Sequence, residues 1–107
     1  MKKNRKTVLE NLPRVLPVYF ELSNPAAQAV AIAGTFNQWH PNSTPMVYLG
    51  SGRWIKNLVL PPGTYAYCLV VDGQWLPDER AKETVPNPYG GLASVVRVGN
   101  PMQPQIV

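Results

Sequence analysis

The segment from Gly63 to Trp75 carries the clearest strand pattern in the chain. It follows Pro61-Pro62, alternates between larger and smaller side chains up to Val71, and reaches Asp72-Gly73, a dipeptide typical of two-residue hairpin turns. Period-two alternation directs Tyr65, Tyr67, Leu69 and Val71 to one face and Ala66, Cys68 and Val70 to the other. We therefore predict a central strand with its bulkier face in the core, followed by a turn and Trp75.

Five further segments have strand patterns, with turn residues between them. They are residues 15–22, 26–36, 46–49, 53–60 and 92–98. Together with the hairpin they make about seven short strands, which indicates an all-β, immunoglobulin-like antiparallel β-sandwich, with an open barrel as the alternative. The side chains expected in its single core are Phe20, Leu22, Val30, Ile32, Phe36, Trp54, Leu58, Tyr67, Leu69, Val71 and Val96. Lys56 shares the inward parity, so either a bulge shifts it or its stem lies along the core edge.

Length and composition are consistent with one small domain. The chain has 107 residues, with 12 prolines and 8 glycines that favour short strands over helices. A single cysteine excludes an internal disulfide. No apolar run approaches the ~18 residues of a membrane span, and the start of the chain is too polar for a signal peptide. We expect a cytoplasmic protein without membrane contact.

The positive charge is concentrated at the beginning of the chain. Residues 1–14 contain five Lys or Arg and one Glu, whereas residues 15–107 contain five basic and five acidic residues. We predict a basic N-terminal arm at 1–14, a β-sandwich at 15–98 and a C-terminal tail at 99–107. A neutral body argues against nucleic-acid binding, because contacts to phosphate dominate that affinity.

Two tryptophans lie among polar residues and are the first candidates for function. Trp39 follows Asn37-Gln38, and Trp75 follows Gln74. Each has an alternative role in packing: Trp39 as a plug at the end of the sandwich, and Trp75 beneath the loop at 86–91. Enzyme chemistry has little support, because Asp78-Glu79 and Glu83 lie in a loop and so small a sandwich offers no deep cleft. We expect no cofactor and no metal.

Several motifs in a fixed order carry a family resemblance. They are Gly34-Thr35-Phe36-Asn37-Gln38-Trp39, Gly52-Arg53-Trp54, Leu58 to Gly63, Tyr67, Val70 to Trp75, Asn87-Pro88-Tyr89-Gly90-Gly91 and Ser94 to Val96. Over roughly residues 15–98 the chain is similar to the family 48 carbohydrate-binding module. This module occurs in isoamylases, in glycogen-branching enzymes and in the beta subunit of AMP-activated protein kinase. The resemblance implies an early-set immunoglobulin-like sandwich that binds α-1,4-linked glucans and is not itself an enzyme.

The resemblance also implies which residues meet the sugar. Trp39 and Trp75 match the tryptophans that stack on sugars in the glycogen-binding members. The position of the family's lysine holds Cys68 here, and the position of its late asparagine holds Ala93. We therefore expect a weakened glucan site, with Cys68 facing outward between the tryptophans. Neighbours that could substitute for the missing contacts are Gln38, His40, Gln74 and Tyr89.

Two functions stay open on the sequence alone. The first is a glucan-binding module, acting with or without a glucan-active enzyme as its partner. The second is a protein-interaction module that has lost sugar binding and docks through the basic arm or an exposed sheet face. If the site is only weakened, Cys68→Lys with Ala93→Asn should raise affinity at little cost in stability.

Overall fold

The computed structural model describes residues 14–99, which form an all-β domain. These residues contain eight strands and two 3₁₀ helices of three residues each. The strands are β1 (Leu16–Ser23), β2 (Val30–Gly34), β3 (Val47–Gly50), β4 (Arg53–Leu60), β5 (Gly63–Val71), β6 (Gln74–Leu76), β7 (Thr84–Pro86) and β8 (Leu92–Val98). The pattern did not show β6 and β7, because three residues are too few for a recognisable alternation. The predicted arm and tail lie almost wholly outside the described residues.

The strands form two antiparallel sheets, which confirms the predicted sandwich. The first sheet has the order β1-β4-β3 and the second the order β2-β5-β8-β7, with β6 paired to β5. Residues 67–71 of β5 pair with β2, while residues 63–67 pair with β8 and residues 69–71 with β6. Strands β8 and β6 therefore follow one another along the same edge of β5. Within residues 14–99 no helix has the length and apolar character that crossing a bilayer requires.

The space between the sheets holds one hydrophobic core. Its buried members are Phe20, Val30, Ile32, Met46, Trp54, Tyr67, Leu69 and Val71. Packed against them and half-buried are Val18, Leu22, Ala27, Phe36, Leu58 and Val96. All eleven side chains expected in the single core lie in these two groups, whereas Tyr65, predicted on the same face of β5, is half-buried and belongs to neither. Met46 is also buried, although it was not among the expected core residues. It lies just before β3, and its N–H donates a hydrogen bond to the Val30 carbonyl.

The second strand is shorter than predicted because side chains capture the backbone before it. The N–H groups of residues 26 and 27 donate to Asn24 Oδ1, and those of residues 28 and 29 donate to Asp72 Oδ1. A backbone amide satisfied in this way does not need a ladder partner. Strand β2 therefore begins at Val30 rather than at Ala26.

Two sequence questions about charged side chains are answered by the fold. The pairing of β1 with β4 is continuous through Phe20 and Lys56, so no bulge shifts the half-buried lysine, and its stem lies along the core edge.

Asp78 is buried and accepts a hydrogen bond from the Tyr67 hydroxyl at 2.6 Å. Burial and this bond raise the pKa of Tyr67. Asp78 therefore pins the loop after β6, and Glu83 pairs with Arg97 at 2.8 Å.

The end of β2 tolerates no side chain at Gly34. A Cβ there would lie 2.7 Å from the Phe36 ring and 2.8 Å from the Ala66 carbonyl oxygen. We expect Gly34→Ala to lower the free energy of unfolding by about 1–3 kcal/mol, because the backbone and a core ring must move apart. Urea denaturation measures this. Gly99→Ala is the matched control, since nothing lies within 4 Å of its added Cβ. Equal stability of the two variants would contradict the close approach.

Candidate functional site

Three aromatic side chains from separate segments meet on the outer face of the second sheet. The ring centroids of Trp39 and Trp75 are 6.2 Å apart, with planes 23° from parallel. The rings of Trp75 and Tyr89 are 5.2 Å apart and nearly perpendicular, at 76°. Both tryptophans are half-buried, whereas Tyr89 is 70% exposed. We call Trp39, Trp75 and Tyr89 the aromatic cluster.

The turn after β5 fixes Trp75. Asp72 and Gly73 have φ values of 50° and 85°, the left-handed pair that a type I′ hairpin turn requires. The Asp72 carboxylate accepts hydrogen bonds from the N–H groups of Gln28 and Ala29 at 2.9 and 2.8 Å. The register then pairs Val70 with Trp75, so the ring lies on the outer face, away from the core.

A buried asparagine holds the segment that carries Trp39. Asn37 Oδ1 accepts a hydrogen bond from Gly34 N–H, and its Nδ2 donates to the Ile32 carbonyl and to Thr44 Oγ1, each at 2.9 Å. The chain then enters the left-handed region at two successive residues, Gln38 and Trp39, with φ values of 55° and 61°. Such a conformation is costly for a bulky residue and persists only where neighbours enforce it. The buried Asn37 bonds supply that constraint.

A second asparagine organises the loop that carries Tyr89. Asn87 Oδ1 accepts hydrogen bonds from the N–H groups of Tyr89 at 2.7 Å and Gly91 at 3.1 Å. The backbone of Asn87 donates to the Gly91 carbonyl at 2.7 Å, which closes the loop. Beside it lies a cleft of about 560 Å³, lined by Trp75, Asn87, Tyr89, Gly90 and Gly91. Every one of these residues is uncharged.

Cys68 faces away from the core as alternation predicts, but the expectation that it is available to a sugar between the tryptophans is wrong. Its side chain is 0% exposed, and so is that of Ala93. The thiol donates to the Leu92 carbonyl at 3.3 Å and accepts from Asn87 Nδ2 at 3.6 Å. Burial raises the pKa of Cys68, while the bond from Asn87 acts in the opposite direction. Alternation gives the direction of a side chain but does not reveal that a later loop covers it.

The remaining predicted neighbours differ in their placement. Gln38 is exposed and precedes Trp39 directly in the chain. Gln74 is exposed too, but alternation along β6 directs its side chain to the face opposite Trp75. His40 is exposed in the same turn as Trp39. Among residues 14–99 no three His, Cys, Asp or Glu side chains gather as a metal site would need.

Sequence reasoning missed the supporting roles of Asn37 and Asn87. Both were noted as parts of motifs, but neither was expected to bond the backbone next to an aromatic residue. For Asn87 the available signal was the residue type, because Asn and Asp often bond a backbone N–H two residues further on; Asn37 instead accepts from Gly34 N–H, three residues earlier. The arrangement offers flat aromatic surfaces with uncharged amides beside them, so its chemistry is that of stacking and neutral hydrogen bonding.

Comparison with known proteins adds two findings. A family model described as the glycogen recognition site of AMP-activated protein kinase matches residues 16–104. No curated protein sequence matches the chain significantly. Among solved structures, a maltogenic amylase from S. marinus is similar, with a TM-score of 0.71 and 21% sequence identity. The similarity covers 85% of this chain and 14% of the amylase chain, so this chain spans a small part of that enzyme's length.

The burial of Cys68 reverses the expectation that a lysine fits there at little cost. We expect Cys68→Lys to lower the free energy of unfolding by about 3 kcal/mol or more, because an ammonium would be buried without a partner or would lift the covering loop. Urea denaturation followed by tryptophan fluorescence measures this. Gln74→Lys is the matched control at an exposed position, and its stability should stay within about 0.5 kcal/mol of the wild type. A Cys68→Lys variant as stable as the control would mean that the thiol is not enclosed.

Proposed function

Because the chain belongs to the family of glycogen-recognition modules described for AMP-activated protein kinase, we propose that it binds α-1,4-linked glucan on the aromatic cluster. Modules of this family are non-catalytic, so the chain supplies carbohydrate binding and not bond cleavage. The observation that carries the proposal is the convergence of Trp39, Trp75 and Tyr89 on one open face. Glycogen, starch and maltodextrins are the glucans that contain this linkage.

Stacking supplies the binding energy in this proposal. A pyranose ring has an apolar face of C–H groups, and an aromatic ring gains contact with it at low entropic cost. By analogy with stacked bases, each ring contributes about 1–3 kcal/mol. Hydrogen bonds from backbone N–H groups to the side chains of Asn37, Asp72 and Asn87 already hold the segments that carry the three rings, so little further ordering is needed when the sugar binds.

The proposed affinity for a short oligosaccharide is weak, in the millimolar range. With Cys68 and Ala93 buried, neither position offers a polar group to the ligand. The amide of Asn87 is occupied by bonds within its own loop and to Cys68, so the exposed Gln38 is the uncharged polar neighbour left for the sugar, with hydrogen bonds of about 1 kcal/mol each. A branched polymer presents many chains to one molecule, so glycogen granules retain the module better than a single chain does.

A glucan-active enzyme is the partner that we propose for the module. The fold occurs within a maltogenic amylase, where it accounts for 14% of the chain. An accessory module of this kind keeps an enzyme close to an insoluble substrate and raises its local concentration there.

The second candidate function is protein binding through the outer face of the first sheet. That face presents exposed apolar side chains from three adjacent strands. They are Pro17, Tyr19, Val47, Ile55 and Val59, of which only Ile55 is half-buried. Exposed apolar side chains gathered on one sheet face are typical of interaction surfaces. This candidate takes precedence if the aromatic cluster binds no glucan.

Removal of single rings tests the glucan proposal. We expect Trp39→Ala and Trp75→Ala each to weaken retention on insoluble starch or glycogen by roughly 5- to 150-fold, the equivalent of about 1–3 kcal/mol per ring. Pull-down and affinity electrophoresis measure the change. Tyr19→Ala is the matched control, because it removes a half-exposed ring from the opposite sheet. Failure of the wild type to bind, or equal loss in the control, would contradict the proposal.

The absence of charge in the cleft predicts an affinity that is insensitive to salt. We expect binding to glycogen to change by less than about twofold between roughly 0.05 and 1 M sodium chloride, because screening acts on charged groups. Quantitative sedimentation with glycogen measures this. A fall of about tenfold or more would mean that Lys and Arg side chains, and not the rings, carry the interaction.

A further inference from the structure

The loop that carries Tyr89 is attached to the sheet at a row of small side chains. Ala33 pairs with Cys68 across β2 and β5, and Ala93 lies on the next strand, β8. All three are 0% exposed. Small side chains in this row allow the loop at 87–91 to approach the sheet closely, which a longer side chain would prevent.

We infer that Asn87 is the positioning residue of the site, holding the Tyr89 ring against Trp75 for a bound sugar. This inference rests on the proposed glucan function and adds a residue that acts through another. Asn87 makes no part of the stacking surface. It determines where the most exposed ring of the aromatic cluster stands.

The two ends of the Asn87 side chain perform different tasks. Its Oδ1 accepts from Tyr89 N–H and Gly91 N–H, which shapes the loop itself. Its Nδ2 donates to Cys68 Sγ, which attaches the loop to the central strand. The thiol in turn donates to Leu92 at the start of β8, so both ends of the loop meet at Cys68.

This attachment fixes the position of the Tyr89 ring relative to the Trp75 ring. Tyr89 is 70% exposed, so packing around its own side chain does little to orient it. Its backbone is instead held two residues after Asn87, and Gly90 takes a φ of 93° that completes the turn. The ring centroids of Tyr89 and Trp75 thereby lie 5.2 Å apart before any ligand arrives. A preformed pair of rings binds a sugar more tightly than a mobile pair, because less conformational freedom is lost on binding.

A mutant cycle separates positioning from general stability. We expect Asn87→Ala to weaken binding to maltoheptaose about as much as Tyr89→Ala does, and the double variant to be no worse than Tyr89→Ala alone, because Asn87 acts only through that ring. Asn87→Asp keeps the Oδ1 acceptor that shapes the loop but loses the Nδ2 donor to Cys68, so its affinity should lie between those of the wild type and Asn87→Ala. Titration calorimetry measures the wild type and the four variants. Additive losses in the double variant would overturn the inference, since they would indicate a role independent of Tyr89.

A second measurement needs no glucan binding. Cys68 is the only cysteine, so reaction with a thiol reagent such as DTNB reports on this one position. We expect Asn87→Ala to speed the reaction by about tenfold or more, because the loop opens locally. Leu58→Ala is the control for global unfolding, since it weakens the core from the other sheet. An unchanged rate in Asn87→Ala, or a rise matched by the control, would overturn the inference.

The two measurements distinguish the failure of each proposal. Faster labelling of Asn87→Ala together with glucan binding and a non-additive cycle supports both the positioning role and the proposed function. Faster labelling with no glucan binding by the wild type supports the attachment of the loop and overturns the glucan proposal. Slower labelling of the wild type in the presence of maltoheptaose would support both proposals, because a sugar bound beside the loop stabilises its attached state.

Discussion

The alternation of side chains along β5 is the constraint on which the rest of the molecule depends. One face of the strand supplies Tyr67, Leu69 and Val71 to the core between the sheets. The other face carries Cys68, which bonds the loop that holds Tyr89, and Val70, which pairs with Trp75. A slip of one residue would exchange the two faces, so the pairings of β5 with β2, β6 and β8 fix the core and the site together.

A side chain that accepts hydrogen bonds from backbone N–H groups precedes each aromatic residue of the site. Trp39, Trp75 and Tyr89 each follow, by two or three positions, an Asn or Asp whose side chain accepts from backbone N–H groups. A short amide or carboxylate can replace a ladder partner and leave the chain in a turn. Rings placed in this way protrude from turns whose backbone is rigid. The site therefore combines exposed aromatic surface with little freedom in the segments beneath it.

Much of the fold follows from local pattern, while the site depends on contacts that local pattern does not contain. Alternation identified the core side chains, and Asp72-Gly73 identified the hairpin. The start of β2 could not be found in this way, because Asp72 captures its preceding amides from more than forty positions away. The burial of Cys68 could not be predicted either, because the loop that encloses it comes some twenty residues later in the chain. Family motifs indicated the two tryptophans, but the Asn87 contact arises only in the folded chain.

The arrangement of the two sheets has a geometric consequence. The aromatic cluster lies on the outer surface of the second sheet, and the apolar side chains of Tyr19, Val47 and Val59 lie on the outer surface of the first. These surfaces point in opposite directions, with the core between them. A molecule adsorbed through its rings therefore turns its apolar surface toward the surrounding solution. A glucan bound at the rings and a protein bound at the apolar side chains would therefore not compete for the same surface.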